Sequence, residues 1–415
     1  MLRRREFLGA GAVALTARGV ARPSIVLRSG WQTVNIGDIT HSPGVLAVFE
    51  KHIPEADLVW WAVSSDRGVE PMMQRRFPKL RIVKGESDAP EVRDALASAS
   101  LLVHGSAAGM SQAPQINAWR EASKKPYGYF GVGFSLEGEA ASSSATPGNI
   151  ELANGAAFFF TRETRSLGNL KTAGVREPEM AFAPDGTFSV DLLDDEKGLA
   201  YLKANGLEPG KFICVIPRLR YTPYHRIRAV QWGPEEIARR DAVNEKHAGQ
   251  DHAKMREAVV AWVRKTGGKA LLCPEMTYEL DEIGRLLYDP LPEDVKRNAV
   301  RRTTFWLPDE ASSIYKRSAM VISAECHSPI MAVAHGTPCI YVHQPEDGIK
   351  GRMWADVGLG DWYFEVEQTT GAALAERVLA IQAGGESSRR KAREAAAYAQ
   401  KVQGEHAAFV RKLVT

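Results

Sequence analysis

Met320-Val321-Ile322-Ser323-Ala324-Glu325-Cys326-His327-Ser328-Pro329-Ile330-Met331-Ala332-Val333-Ala334-His335-Gly336-Thr337-Pro338-Cys339-Ile340-Tyr341-Val342 reads as strand, loop, helix and strand. The apolar run 320–322 has the composition of a buried parallel strand, and 323–329 is the loop at its carboxyl end. Small Ala332 and Ala334 suit a helix packed close on a sheet, and Gly336 and Pro338 punctuate before the next apolar run. Open α/β sheets bind ligands in the crevice outside the carboxyl ends of their strands. Glu325, Cys326, His327 and Ser328 therefore stand where a ligand is expected.

The alternation extends in both directions. Residues 24–27 form a strand leading into a loop at 31–38, and 41–51 reads as a helix. Apolar runs at 58–62, 80–83, 101–103, 127–132 and 155–161 continue a first sheet. Residues 182–207, with Pro184-Asp185-Gly186 and the acidic run 191–196, read as an interdomain connection. A second sheet draws on 212–216, 270–273, 304–307, 320–322 and 339–342. Strands alternating with helices imply parallel sheets with right-handed crossovers. The expected fold is α/β: two Rossmann-like parallel-sheet domains, 24–190 and 200–385, facing each other across a cleft. The charged tail 386–415 reads as an amphipathic helix folded back on the body.

Composition bounds the function. Hydrophobic residues at 44% and charged residues at 25% match a soluble globular chain, and no run approaches the about 20 apolar residues of a membrane span. A net charge of +3 is too small to argue for nucleic acid. Cys214, Cys273, Cys326 and Cys339 lie in or beside apolar strands without CxxC spacing, so neither a metal nor a cofactor is expected. The N-terminus carries Arg4-Arg5-Glu6-Phe7-Leu8, a mildly apolar run at 9–17, and small Gly19-Val20-Ala21. This order reads as a twin-arginine signal peptide over 1–21, with the twin-arginine export machinery as partner and a periplasmic or extracellular destination.

Candidate site residues cluster at strand ends. Asn35, Gly37 and Asp38 precede a helix, where Gly37 permits close approach and the helix start attracts anions; a turn with a helix cap explains the same residues. His41 in the first turn reads as a solvated or capping residue, whereas His104 ends a strand beside Gly105. The loop after 212–216 holds Arg218, Arg220, Tyr221, Tyr224, His225, Arg226 and Arg228, a set suited to anions and sugar rings. Glu275 ends the next strand and caps a following helix or pairs with Glu325 across a cleft, as glycoside hydrolysis would require. His327 reads as a general acid/base tuned by Glu325. Lys350 and Arg352 flank Gly351 and suit either an anion or the surface.

These pieces, in order, resemble the polysaccharide pyruvyl transferase family over about residues 24–365. Asn35-Ile36-Gly37-Asp38 is similar to its Asn-x-Gly-Asp, and Lys125-Pro126 to Gly133 to its Lys-Pro strand ending in Gly-x-Gly. Arg162-Glu163-Thr164-Arg165-Ser166 with Leu170 to Val175, Pro184-Asp185, the Glu325-Cys326-His327 stretch, and Lys350 with Gly358-Leu359 follow in family order. The resemblance implies a glycosyltransferase-B-like fold and pyruvyl transfer from phosphoenolpyruvate to a glycan. Two departures stand out. The family's Arg-x-His is Glu325-Cys326-His327, and its glycine run after 101–103 is His104-Gly105-Ser106.

Three functions follow. A pyruvyl transferase would use His327 as acid/base and Arg218, Arg220 and Lys350 as anion clamps on an acidic or sulfated glycan and its donor. An exported glycan-cleaving hydrolase would use Glu325, Glu275 and His327. A non-catalytic binder of acidic saccharides would need only the cationic loop.

Overall fold

The computed structural model describes residues 22–137 and 144–415; the signal-peptide reading of 1–21 lies outside the described residues. Seven parallel strands build the first sheet: β1 (Ser24–Arg28), β2 (Asp57–Ala62), β3 (Arg81–Lys84), β4 (Leu101–His104), β5 (Tyr127–Val132), β6 (Phe158–Thr161) and β7 (Glu179–Phe182), in the order β3-β2-β1-β4-β5-β6-β7. Six build the second: β8 (Phe212–Ile216), β9 (Lys269–Leu272), β10 (Ala299–Arg301), β11 (Met320–Ser323), β12 (Cys339–His343) and β13 (Tyr363–Glu365), in the order β10-β9-β8-β11-β12-β13. Helices cover both faces, so the central strands are apolar throughout rather than alternating. Phe158, Phe159 and Phe160 are all fully buried, and Phe158 presses so close that a Cβ on Gly128 would lie 2.4 Å from its ring. The expected two-domain parallel α/β architecture is what forms.

Two elements differ from the sequence reading. Residues 304–307 are not a strand: β10 lies earlier, where Ala299, Val300 and Arg301 pair with Ala270, Leu271 and Leu272. Trp306 is instead buried against Tyr315, donating to the Pro274 carbonyl at 2.8 Å, and Pro308 opens the next helix. The stretch 182–207 is more than a connection. Its start belongs to β7, and helix Asp195–Ala204 packs on the second domain, with a Cβ on Gly198 meeting Ser313 Cβ at 2.7 Å.

The domains are joined by main chain as well as by side chains. Ile36 donates to the Glu275 carbonyl at 2.9 Å and Thr277 to the Val34 carbonyl at 3.0 Å. An antiparallel bridge between Asn35 and Met276 thus inserts the start of helix Ile36–His52 between the two sheets. The last helix, Glu386–Val414, returns to the first domain, where Phe409 packs on Phe158 and Phe160 and His406 meets the Phe182 carbonyl at 2.9 Å. No helix among the described residues is long and apolar enough to cross a membrane, and all four cysteines are buried and unpaired.

Candidate active site

In each sheet the strand order reverses beside the first strand of its domain, between β1 and β4 and between β8 and β11. Crevices at such switch points are where open α/β sheets bind ligands. Here the two crevices face each other and share one cavity of about 290 Å³. Its wall is drawn from the loops after β1 (Gly30, Trp31, Gln32, Asn35, Asp38, with His41 on the helix), β4 (Ala107, Ala108, Gly109, Ser111, Gln112), β6 (Arg162), β8 (Arg218, Thr222, Tyr224, Arg228), β9 (Met276) and β11 (Glu325, Cys326, His327), plus Lys350.

Nine expected residues line this cavity: Asn35, Asp38, Arg218, Tyr224, Arg228, Glu325, Cys326, His327 and Lys350. Asn35 also caps the helix, accepting from the Gly37 and Asp38 amides at 2.7 and 3.2 Å. Tyr224 forms a wall with its hydroxyl 3.1 Å from Gln32 Nε2, which itself donates to Asp38 at 2.5 Å.

The others sit behind the wall or away from it. Gly37 lies where a Cβ would meet Glu275 Oε1 and His327 Cβ, each at 2.4 Å. Glu275 is fully buried; one oxygen accepts from the Ser328 amide at 2.6 Å and the other lies 3.5 Å from His327 Nδ1. It holds His327 in place, so Glu275 and Glu325 do not form a carboxylate pair across the cavity. Ser328 meets the Tyr315 hydroxyl at 3.1 Å. His104 is fully buried with both nitrogens engaged, Nδ1 at the Gly105 carbonyl at 2.7 Å and Nε2 at the Gln112 amide at 3.3 Å. Burial pushes it down to about 4, so it is a neutral support for the Gln112 loop. Arg220 is neutralised away from the cavity by Asp251 at 2.8 Å and Glu367 at 2.6 Å. His225 faces Asp241 at 3.7 Å, and Arg352 is exposed.

Four cationic side chains line the cavity, Arg162, Arg218, Arg228 and Lys350, and three of them meet carboxylates there. Arg218 binds both Glu325 and Asp347, the latter at 2.9 Å, and these two carboxylates outweigh burial to hold its guanidinium charged. Burial pushes Glu325 up to about 7, with Arg218 opposing and Glu275 and Asp347 adding to the rise. Lys350 lies 3.6 Å from Asp347. Arg162 is buried, its Nη1 3.4 Å from Asp185 Oδ2 and its Nε 3.3 Å from Glu163, while Nη2 has no protein partner. Asp185 is fully buried, yet His41, His327 and Arg162 outweigh that burial and hold it down to about 2.

His41, Arg162 and Asp185 are the functional residues that the sequence reading left without a role. His41 is buried, and its Nε2 lies 2.9 Å from His327 Nε2. The available signal was position: His41 shares a helix face with Asp38 at i+3, and Arg162 and Asp185 each follow a strand end. Asp38, His41 and His327 also have donor atoms within 4.8 Å of one another, the spread of a metal-ligand set. The 2.9 Å between the imidazole nitrogens is a hydrogen-bond separation, shorter than the about 3.3 Å spanned by two nitrogens on one tetrahedral zinc. As placed, the rings are a hydrogen-bonded pair.

The model of the polysaccharide pyruvyl transferase family matches residues 35–343, and the chain belongs to that family. No curated protein matches it. Among solved structures it resembles Anabaena Alr3699/HepE in complex with UDP-glucose, at 12% identity and a TM-score of 0.55 over 94% of this chain and 98% of that one. It also resembles a putative UDP-N-acetylglucosamine 2-epimerase from Listeria monocytogenes, at 12% identity and a TM-score of 0.54 over 90% and 91% of the two chains. A UDP-GlcNAc 2-epimerase from Neisseria meningitidis gives 10% identity and a TM-score of 0.53 over 91% and 98%. At such identities these likenesses establish the glycosyltransferase-B-like fold alone.

Proposed function

We propose that this member of the polysaccharide pyruvyl transferase family, a glycan-modifying enzyme, transfers a pyruvyl group from an enol phosphate donor to a pair of sugar hydroxyls in the interdomain cavity. The observation that carries the reading is the meeting of His327, Arg162, Arg218 and Lys350 in the lining of one cavity, together with Asp38 and Tyr224. His327 is the acid: burial lowers its basicity, but Glu275, Asp185 and Asp38 outweigh burial and raise it. It protonates the methylene carbon of the donor while a sugar hydroxyl adds to the neighbouring carbon. Phosphate then leaves and the second hydroxyl closes the ketal. Of the two hydroxyl protons, one returns to His327 and one departs with phosphate.

Arg162 and Lys350 hold the donor's anionic groups in this scheme, because Arg218 is already engaged by Glu325 and Asp347. An acidic or sulfated acceptor would enter past Tyr224 and Arg228, whose guanidinium lies 4.0 Å over the Tyr224 ring. The test is mass spectrometry of acidic oligosaccharides incubated with the protein, with and without phosphoenolpyruvate. A donor-dependent gain of one pyruvyl ketal, lost in His327→Ala, supports the reading. Unchanged oligosaccharide, or fragments formed without donor, would overturn it.

The twin-arginine pattern Arg4-Arg5 adds export to the proposal. Fractionation of a tagged chain tests this, with periplasmic recovery expected and its loss in Arg5→Lys. Recovery only in the cytosol would refute export and leave the chain beside cytosolic donors.

A further inference from the structure

The hydrogen bonds around His41 fix where its protons sit. His41 Nδ1 lies 2.8 Å from the Gly30 carbonyl. A carbonyl only accepts, so Nδ1 carries the hydrogen and Nε2 presents a lone pair. That lone pair faces His327 Nε2 at 2.9 Å, with the rings at 76° to each other. Such a contact needs one hydrogen between the nitrogens, and His327 is the ring left to supply it. His327 Nδ1 meanwhile faces Glu275 Oε1 at 3.5 Å, a buried oxygen with no hydrogen-bond partner of its own. Nε2 of His327 thus carries an N–H, and the Glu275 carboxylate beside Nδ1 favours a second one, as in an imidazolium.

We infer that His41 is a positioning residue whose Nε2 lone pair keeps a proton on Nε2 of His327, the ring that lines the cavity. The inference rests on the reading of His327 as the acid and adds the device that loads it. The charged and titratable groups facing the pair are Asp38 on the same helix as His41, Glu275 after β9, Asp185 after β7 and His104 at the end of β4, with Arg162 behind Asp185. Asp185 Oδ2 lies 3.7 and 4.0 Å from the two Nε2 atoms and balances the charge whichever ring holds it. The directions agree: burial and His327 leave His41 with lowered basicity, whereas His327 is raised. When the donor takes the proton, both rings are left neutral, and a hydroxyl proton from the acceptor restores the starting state.

Selective ¹⁵N-histidine NMR on the full chain, without substrate, reads this directly. His327 is expected to be doubly protonated at pH 7 and His41 to be the Nδ1–H tautomer. In His41→Phe, which fills the space but offers no acceptor, the His327 midpoint should fall by about one pH unit, a tenfold change in proton affinity. His41→Gln, which retains an accepting oxygen, should restore most of it. A neutral His327 at pH 7 in the unaltered protein would overturn the inference even if neither variant folded. So would a midpoint unmoved in a folded His41→Phe. Because the titration uses no donor or glycan, it can succeed where the transfer assay fails, and the two proposals fall separately.

Discussion

Gln403, on the last helix, donates to the main-chain carbonyl of Asp185 at 2.8 Å, tying the C-terminus of the chain to the anion beside the histidine pair. The same amide reaches the Pro184 carbonyl at 3.0 Å, and its oxygen accepts from Ser189 at 2.5 Å. Gln403 is fully buried, so its bonds to the two carbonyls are made without competition from water. Gln403→Leu would strand two buried carbonyls and a hydroxyl. A loss of about 2 kcal/mol or more is expected in urea unfolding, from the usual desolvation cost of such groups. Turnover should fall further than stability alone explains, because the segment that loosens carries Asp185.

Glu325 sets how much of Arg218 is free for a ligand. Its carboxyl is pushed up to about 7 by burial against the pull of Arg218. Above that pH both carboxylates hold Arg218; below it the Glu325 carboxyl is protonated, and Nη1 loses its charged partner while Nη2 keeps Asp347. Sulfate, which does not itself titrate in this range, should therefore bind more tightly as pH falls through about 7. Glu325→Gln should bind it tightly at all these pH values. Calorimetry at pH 6 and 8 measures the difference, and equal affinities in the two proteins would show that Arg218 does not face the ligand.

Much of this site was legible because strand ends can be read from sequence. The Met320 to Val342 stretch places Glu325 and His327 at a carboxyl end, and they stand there on the cavity wall. What could not be read is which groups neutralise each other. Arg220 sits in the same cationic loop as Arg218 but is matched by Asp251, 31 positions later, and by Glu367 from beyond β13. His104 has the loop context of a catalytic residue, yet the register of β4 turns its ring into the protein beneath Gln112. His41 looks like a solvated helix residue until the second domain closes over it, 286 positions away. β10 was misplaced for a related reason: its three residues are short and mixed, whereas the apolar Phe305-Trp306-Leu307 serves packing instead of pairing.

Gly37 marks how tightly the domains meet. A methyl there would lie 2.4 Å from both Glu275 Oε1 and His327 Cβ. Neither neighbour can retreat, since Glu275 is held by the Ser328 amide and His327 opens its own helix. Gly37→Ala should cost about 1–3 kcal/mol, the range for overpacking, and should shift the His327 resonances in the NMR titration. A variant of unchanged stability and unshifted His327 would mean that the domains part more readily than this contact implies.

Two buried histidines make the fold sensitive to acid. His252 places Nδ1 2.7 Å from the Ala248 carbonyl and accepts from the Arg218 amide at 3.2 Å through Nε2, so only the neutral ring satisfies both partners. His104 is constrained in the same way between Gly105 and Gln112. Burial lowers each from 6.5 to about 4. For a base with a depressed folded value, the stabilising contribution is complete above 6.5 and is lost as pH falls toward 4. At about 1.36 kcal/mol per pH unit, each ring contributes a fall of about 3 kcal/mol across that window. Urea unfolding between pH 7 and 4 should show stability dropping, and His252→Asn, though less stable at pH 7, should show a shallower drop. Because His252 supports the backbone of Arg218, this same acid limb should also weaken sulfate binding below about pH 5. An anion affinity that kept rising to pH 4 would mean that Arg218 holds its place without His252.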